Sequence, residues 1–124
     1  MTIKQETEFL RMKYSLTKNS IEIDGRKLYQ IKAEMSFGNV KKGDLGGYIE
    51  KEYNLSQEGN AWVSGNARVS GDARVSGDAH VFGNARVFGN ALVYGNAWVS
   101  GNAWVSGDAW VSGDAWVSGD AHVF

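Results

Sequence analysis

His80 and His122 are the two side chains of this sequence whose ordinary pKa allows proton exchange near neutral pH. Both occupy one place in a repeat, as Asp78-Ala79-His80-Val81 and Asp120-Ala121-His122-Val123. A general base needs a substrate pocket and a neighbour that tunes it. No loop interrupts the repeat to build either, so both histidines are expected at the surface or stacked on neighbours. With no cysteine in the chain, thiolate metal sites and disulfides are excluded. Asp72, Asp78, Asp108, Asp114 and Asp120 also recur in step with the repeat. Their period of six differs from that of the calcium-binding nonapeptide rolls, and they are expected in solvated turns.

The aromatic residues carry a stronger signal. Phe82, Phe88 and Tyr94 replace serine in three consecutive units, and Trp98, Trp104 and Trp110 then fill another position of the next three. Trp116, His122 and Phe124 continue the series. Monomers rarely expose apolar belts of that extent, and Tyr and Trp are enriched where binding energy concentrates. With Val123, these nine residues form the expected interaction surface. The last unit closes on Val123-Phe124 without a cap, and an open strand edge invites pairing. A homodimer through the carboxy-terminal coils is therefore expected, closed by a twofold axis, with a trimer through the faces of the array as the second arrangement.

What positions these residues is Gly59–Phe124, eleven consecutive units of Gly-(Asn/Asp)-Ala-x-Val-(Ser/Phe/Tyr) with no insertion or deletion. Ala and Val lie two apart and point to one side of a short strand, while x and the residue after Val point outward. Gly-Asn or Gly-Asp then turns the chain, both residue types tolerating left-handed backbone. Repetition of a short strand and a corner winds into a parallel coil with rungs about 4.8 Å apart.

This pattern resembles that of the hexapeptide-repeat proteins, and Gly43-Asp44-Leu45-Gly46-Gly47-Tyr48 resembles the lead-in of short bacterial and phage members. The resemblance implies an all-β, left-handed parallel β-helix with three hexads per eighteen-residue coil, hence nearly four coils. At that register the corners stack as Asn60–Asp78–Asn96–Asp114, Asn66–Asn84–Asn102–Asp120 and Asp72–Asn90–Asp108, with no Asp directly over another. The outward columns read Trp62–His80–Trp98–Trp116, Arg68–Arg86–Trp104–His122 and Arg74–Leu92–Trp110. Arg86 beneath Trp104 is placed for a cation–π contact. Arg68 beside Arg86 is a like-charge pair that the repeat does not explain.

Residues 1–58 read as a head that caps the coil, and 59–124 as the solenoid. A weak helix is expected over 1–13, with Phe9, Leu10 and Met12 as its apolar residues. Alternation on either side of Asp24-Gly25 predicts a β-hairpin, with Ile21, Ile23, Tyr29 and Ile31 as its buried face. From Gly38 to Glu58, apolar residues recur at Val40, Leu45, Ile49 and Leu55. Leu45 and Ile49 are spaced four apart, as an irregular first turn would require.

Charge is balanced in both parts, ten Lys/Arg against nine Asp/Glu in 1–58 and three Arg against five Asp in 59–124. That balance disfavours nucleic acid as a partner. No apolar run spans a bilayer and the amino terminus lacks a signal peptide's core, so no membrane partner and a cytoplasmic location are expected. The best-known proteins of the resembling family are acyltransferases with a histidine base, and the γ-class carbonic anhydrases hold their metal with three histidines. This chain has two histidines, and no cofactor or metal is expected. The expectation is a non-catalytic interaction module that binds itself and a host or phage protein, its resemblance to phage proteins implying that it blocks a host defence protein. An acyltransferase using acyl-coenzyme A with His80 or His122 as base is the alternative. Sugar stacking on Trp98 and Trp116 is a third reading.

Overall fold

A computed structural model describes residues 12–124. The helix expected over 1–13 falls outside this range except for Met12 and Lys13, which are not helical. Among the described residues the protein is all-β apart from one 3-10 turn, Glu52–Asn54. Strand β1 (Tyr14–Ile23) turns at Asp24-Gly25 into β2 (Arg26–Ala33), and β3 (Leu45–Ile49) follows. Eleven two-residue strands succeed them, from β4 (Trp62–Val63) to β14 (His122–Val123).

The array is a parallel β-solenoid of about four turns. Trp62 pairs with His80, His80 with Trp98, and Trp98 with Trp116. Arg68, Arg86, Trp104 and His122 form the second column, and Arg74, Leu92 and Trp110 the third. The eighteen-residue register is thus the observed one, with the strands of the array in three parallel stacks, one of them continued by the antiparallel strands of the head. Each inward Ala and Val from Ala61 to Val105 is fully buried. These small and medium side chains fill the narrow axis with no polar atom in it.

The corners correct one expectation. Only the glycines take positive φ there, and the following Asn or Asp does not. Each corner from Gly65 onward closes with a bond such as Ala67 N–H to Ser64 O (3.2 Å), glycine supplying the positive-φ first central residue of the turn. The Asn has another role. Nδ2 of Asn66 donates to Asn84 Oδ1, Asn84 to Asn102, Asn90 to Asp108, Asn96 to Asp114 and Asn102 to Asp120, each at 3.3 Å. The ladders run one way, and an Asp accepts at the end of each. An Asp can accept but not donate, which gives the absence of Asp–Asp stacks a hydrogen-bonding reason besides charge.

The head solves the problem at the base of the coil. Outside the two-residue strands the lower N–H groups donate to carbonyls of the rung above, so the first rung leaves carbonyls facing down. Tyr48 N–H takes Ala67 O, Glu50 N–H takes Val69 O and Ser56 N–H takes Val75 O. Buried Asn54 donates Nδ2 to Gly71 O (3.1 Å) and Ala73 O (2.8 Å), while its Oδ1 accepts from the amides of Glu50 and Lys51. The buried Lys13 ammonium takes Ala61 O at 2.8 Å and lies 5.0 Å from the Phe37 ring centroid. Burial lowers the Lys13 pKa to about 8, with Asp78 pulling the other way. The Tyr14 hydroxyl donates to Leu55 O and Glu52 O. Its pKa is pushed up, first by burial and then by the charge of Glu52, against Arg74.

Two details of the head differ from expectation. Leu45 is 55% exposed, because Gly47, not Leu45, takes the inward place that Ala holds in later units. A Cβ on Gly47 would lie 2.6 Å from Ala67 O, so the first turn passes closer to its neighbour than any side chain permits. In the hairpin, Ile31 and Leu28 are buried while Ile21, Ile23 and Tyr29 are half-buried. A bulge between Leu16 and Ser20 shifts the register and sets Ile21 opposite Leu28, a switch that period-two reading cannot anticipate. Asp24 (φ 51°) and Gly25 (φ 79°) make the tight turn as expected.

Candidate functional site

Outward residues of the coil stand in columns one rung apart, so bulky side chains must interlock or stack. On the first face Phe82 meets Trp98 edge-on at 5.8 Å between centroids, and Trp98 stacks on Trp116 at 5.2 Å with planes 2° apart. On the second face Phe88 meets Trp104 at 5.8 Å, and Trp104 stacks on His122 at 4.9 Å. On the third Tyr94 meets Trp110 at 6.4 Å. Edge-to-face and offset contacts at these separations are the favoured aromatic geometries. The row at Phe82, Phe88 and Tyr94 is half-buried by the tryptophans one coil above.

The candidate residues therefore form three strips, one per face, rather than one pocket. Trp98 and Trp104 stay 40% and 38% exposed although each is stacked, so the contacts between rungs leave a ring face or edge for a partner. Trp110, Trp116 and Phe124 are more exposed still, while Val123 is half-buried against the core. Trp62 holds the same repeat position as Trp98 but is buried, with Phe37 at 5.3 Å and Tyr14 at 6.4 Å on its ring.

His80 sits between Trp62 and Trp98 in its column, 6.1 Å from the Trp98 ring. Burial holds its pKa below the ordinary value, Asp78 opposing and Lys13 adding. Burial thus favours the neutral form of this imidazole, and His122 lies flat on Trp104. The two occupy different faces, so they do not form a paired acid and base. Among the described residues no group of three His, Asp or Glu side chains is placed to hold a metal ion, and no helix is long and apolar enough to cross a membrane.

The arginines of the first two coils were not expected to form a site. The guanidinium of Arg86 lies 5.5 Å from the Trp104 ring centroid, the cation–π contact expected from the register, and that of Arg74 lies 5.1 Å from Tyr53. The tip of the hairpin closes over the second face, and a cleft of about 520 Å³ runs between them. The like-charge pair Arg68–Arg86 was its only trace in the sequence.

The array is similar to a known repeat, the YdcK beta solenoid repeat, in overlapping windows at 61–77, 67–83, 79–95, 85–101, 91–107 and 98–113. These windows span 61–113, less than half of the chain, and successive ones start about one hexad or two apart. Each window is close to one eighteen-residue coil in length, in keeping with the observed register. Together with the stacked coils, the match makes this a repeat β-solenoid protein. No curated protein matches the chain.

Proposed function

We propose that the protein is a non-catalytic binding module that self-associates through its aromatic coils and engages a second protein by the same surface. The observation that carries this reading is the exposure of Trp98 and Trp104, each already stacked within its own column. Strand packing explains the Phe/Tyr row beneath them but leaves these indoles uncovered. Under a twofold axis the strip of Phe82, Trp98 and Trp116 would meet its own copy, and it offers the side chains that dominate interface energetics. The likeness to hexapeptide-repeat proteins supports a left-handed coil, and the likeness of the lead-in to short phage proteins supports a phage-encoded protein acting in the host cytoplasm, its second partner a host defence protein.

Light scattering on the intact chain at micromolar concentration tests the first step. The expected mass is twice 13.6 kDa, falling to the monomer in the Trp98→Ser/Trp116→Ser double variant while the far-ultraviolet circular dichroism is kept. Serine at an outward position is compatible with the coil, since most units carry it at their other outward site. A wild-type monomer at that concentration would refute self-association. A defined complex with acyl-coenzyme A seated at His80 would overturn the non-catalytic reading.

A further inference from the structure

The second face contains a departure from the repeat that works against stability. Arg68 and Arg86 are directly paired in parallel register, and like charges opposed across a sheet are unfavourable. Elsewhere the array avoids such pairs, as its Asp corners show. The usual remedy, a carboxylate between the two, is missing among the described residues. Glu50 is engaged by Arg26 Nη1 (2.9 Å) and by the Gly71 amide (2.8 Å). Asp72 is engaged by Lys51 at 2.9 Å, and that hydrogen bond and charge hold its carboxyl below the usual range. The Nε atom of Arg68 is shielded from solvent and has no acceptor. A buried donor left unmade costs more than an average hydrogen bond returns.

These two guanidinium groups face the cleft beneath the hairpin. One wall is the tip of β1 and β2, with Ile23, Asp24, Arg26 and Leu28; the other is Arg68, Arg86, Phe88 and Trp104, with the Gly71–Asp72 and Gly89–Asn90 corners beside them. Asp24 also lines it and makes no ion pair with either arginine. The volume of about 520 Å³ falls within the usual range for small-molecule sites. Apolar walls with a few convergent polar groups are the common composition of such sites. Arginine, planar and rich in donors, is suited to carboxylate and phosphate oxygens.

We propose that this cleft binds a small organic anion, a carboxylate or phosphate joined to a planar apolar body. The anion bridges the guanidinium groups of Arg68 and Arg86 and relieves their repulsion. The body lies against Ile23, Phe88 and the free part of Trp104. Arg26 stays with Glu50, which anchors the hairpin over the site. The cleft shares Phe88 and Trp104 with the aromatic surface proposed above, but its arginine pair takes no part in self-association, and the Trp98 and Trp116 strip that tests self-association lies on another face.

The test is titration of the intact protein with phenyl phosphate, benzoate and inorganic phosphate, followed by NMR of the arginine Nε–H signals. Phenyl phosphate or benzoate is expected to move the Arg68 and Arg86 signals together and saturably, and to bind at least tenfold more tightly than inorganic phosphate. The better of the two aromatic probes identifies the anion. Arg68→Gln and Arg86→Gln should each weaken binding at least tenfold and raise the melting temperature of the ligand-free protein by removing the like-charge pair. Phe88→Ser, which restores the residue most units carry, should erase the preference for phenyl phosphate over inorganic phosphate. Arginine signals unmoved by all three probes, or equal binding in the wild type and both arginine variants, would overturn the proposal. A fall in melting temperature in both arginine variants would also overturn it, because the pair would then be structural.

Discussion

Glycine opens every unit of the array, and two reasons for it can be separated by experiment. Gly95 has φ +69°, and a Cβ there would lie 2.8 Å from the Gly113 amide nitrogen in the coil above and 3.2 Å from its carbonyl oxygen. Gly25, at the hairpin turn, has φ +79° and nothing within 4 Å of the same virtual atom. Alanine at either position meets left-handed backbone, at roughly 1 kcal/mol, partly offset by the stiffer unfolded chain. Only Gly95→Ala adds a collision with backbone, which cannot swing aside as a side chain would. Forced separation of packed groups costs about 1–3 kcal/mol, and the bond from Asn96 N–H to Gly113 O, 2.8 Å long, is the first to give way. Gly95→Ala should therefore destabilise the protein by about 2 kcal/mol more than Gly25→Ala.

Urea unfolding of the two variants beside the wild type measures that difference. Amide exchange locates it, since the Asn96 amide should exchange roughly 30-fold faster in Gly95→Ala for a local loss of about 2 kcal/mol. Amides of the hairpin should be unaffected in the same variant, each repeat contacting chiefly its neighbours. Equal destabilisation by the two substitutions would refute the reasoning. Left-handed geometry alone would then account for the glycines, and the close approach of the coils would be energetically idle.

The base of the coil predicts an unusual pH dependence. Lys13 has a folded pKa of about 8 against an ordinary 10.5, so between those values the unfolded chain binds the extra proton and stability rises with pH, by at most about 1.4 kcal/mol per unit. Tyr14, whose pKa is raised in the fold, reverses the trend once the unfolded tyrosine begins to ionise near pH 10. Urea midpoints between pH 7 and 10 should climb in the wild type and stay flat in Lys13→Met. The two tryptophans at one repeat position make a second comparison. Trp62→Ser removes a buried ring and should cost about 3–5 kcal/mol, whereas Trp98→Ser should cost under about 1.5 kcal/mol, as thermal melts of each can show.

Most of the scaffold was legible because a strict period leaves few solutions. Ala and Val two apart dictated the inward face, and stacking at eighteen residues predicted the Asn–Asp ladders and the contact of Arg86 with Trp104. The head was harder to read, since its geometry depends on where it lands. Gly47 in the place of an alanine makes sense only once Ala67 O is seen 2.6 Å from its virtual Cβ. The hairpin's buried face was misjudged because a bulge leaves no trace in alternation. Trp62 and Trp98 are indistinguishable in sequence, and only the landing of Phe37 and Tyr14 on one of them separates core from surface. The arginine cleft was hidden for the same reason, its second wall coming from hairpin residues far upstream of Arg68, Arg86 and Trp104.

The regularity of the array supplies an internal control for each departure from it. Phe82, Phe88 and Tyr94 depart together, and each lies edge-on to the tryptophan one coil higher, so packing accounts for them. Trp98, Trp104 and Trp110 support that row from above yet remain exposed, which packing within the chain does not require. Arg68 and Arg86 differ from both groups. Leucine stands beside Arg74 at the equivalent place on the third face and histidine beside Trp62 on the first, so the fold accepts other residues there. A stacked pair of like charges is the one departure in the array that lowers stability as the chain stands. The ligand that would remove that repulsion is an anion, and the hairpin folded over the pair leaves a cleft of the size to hold one.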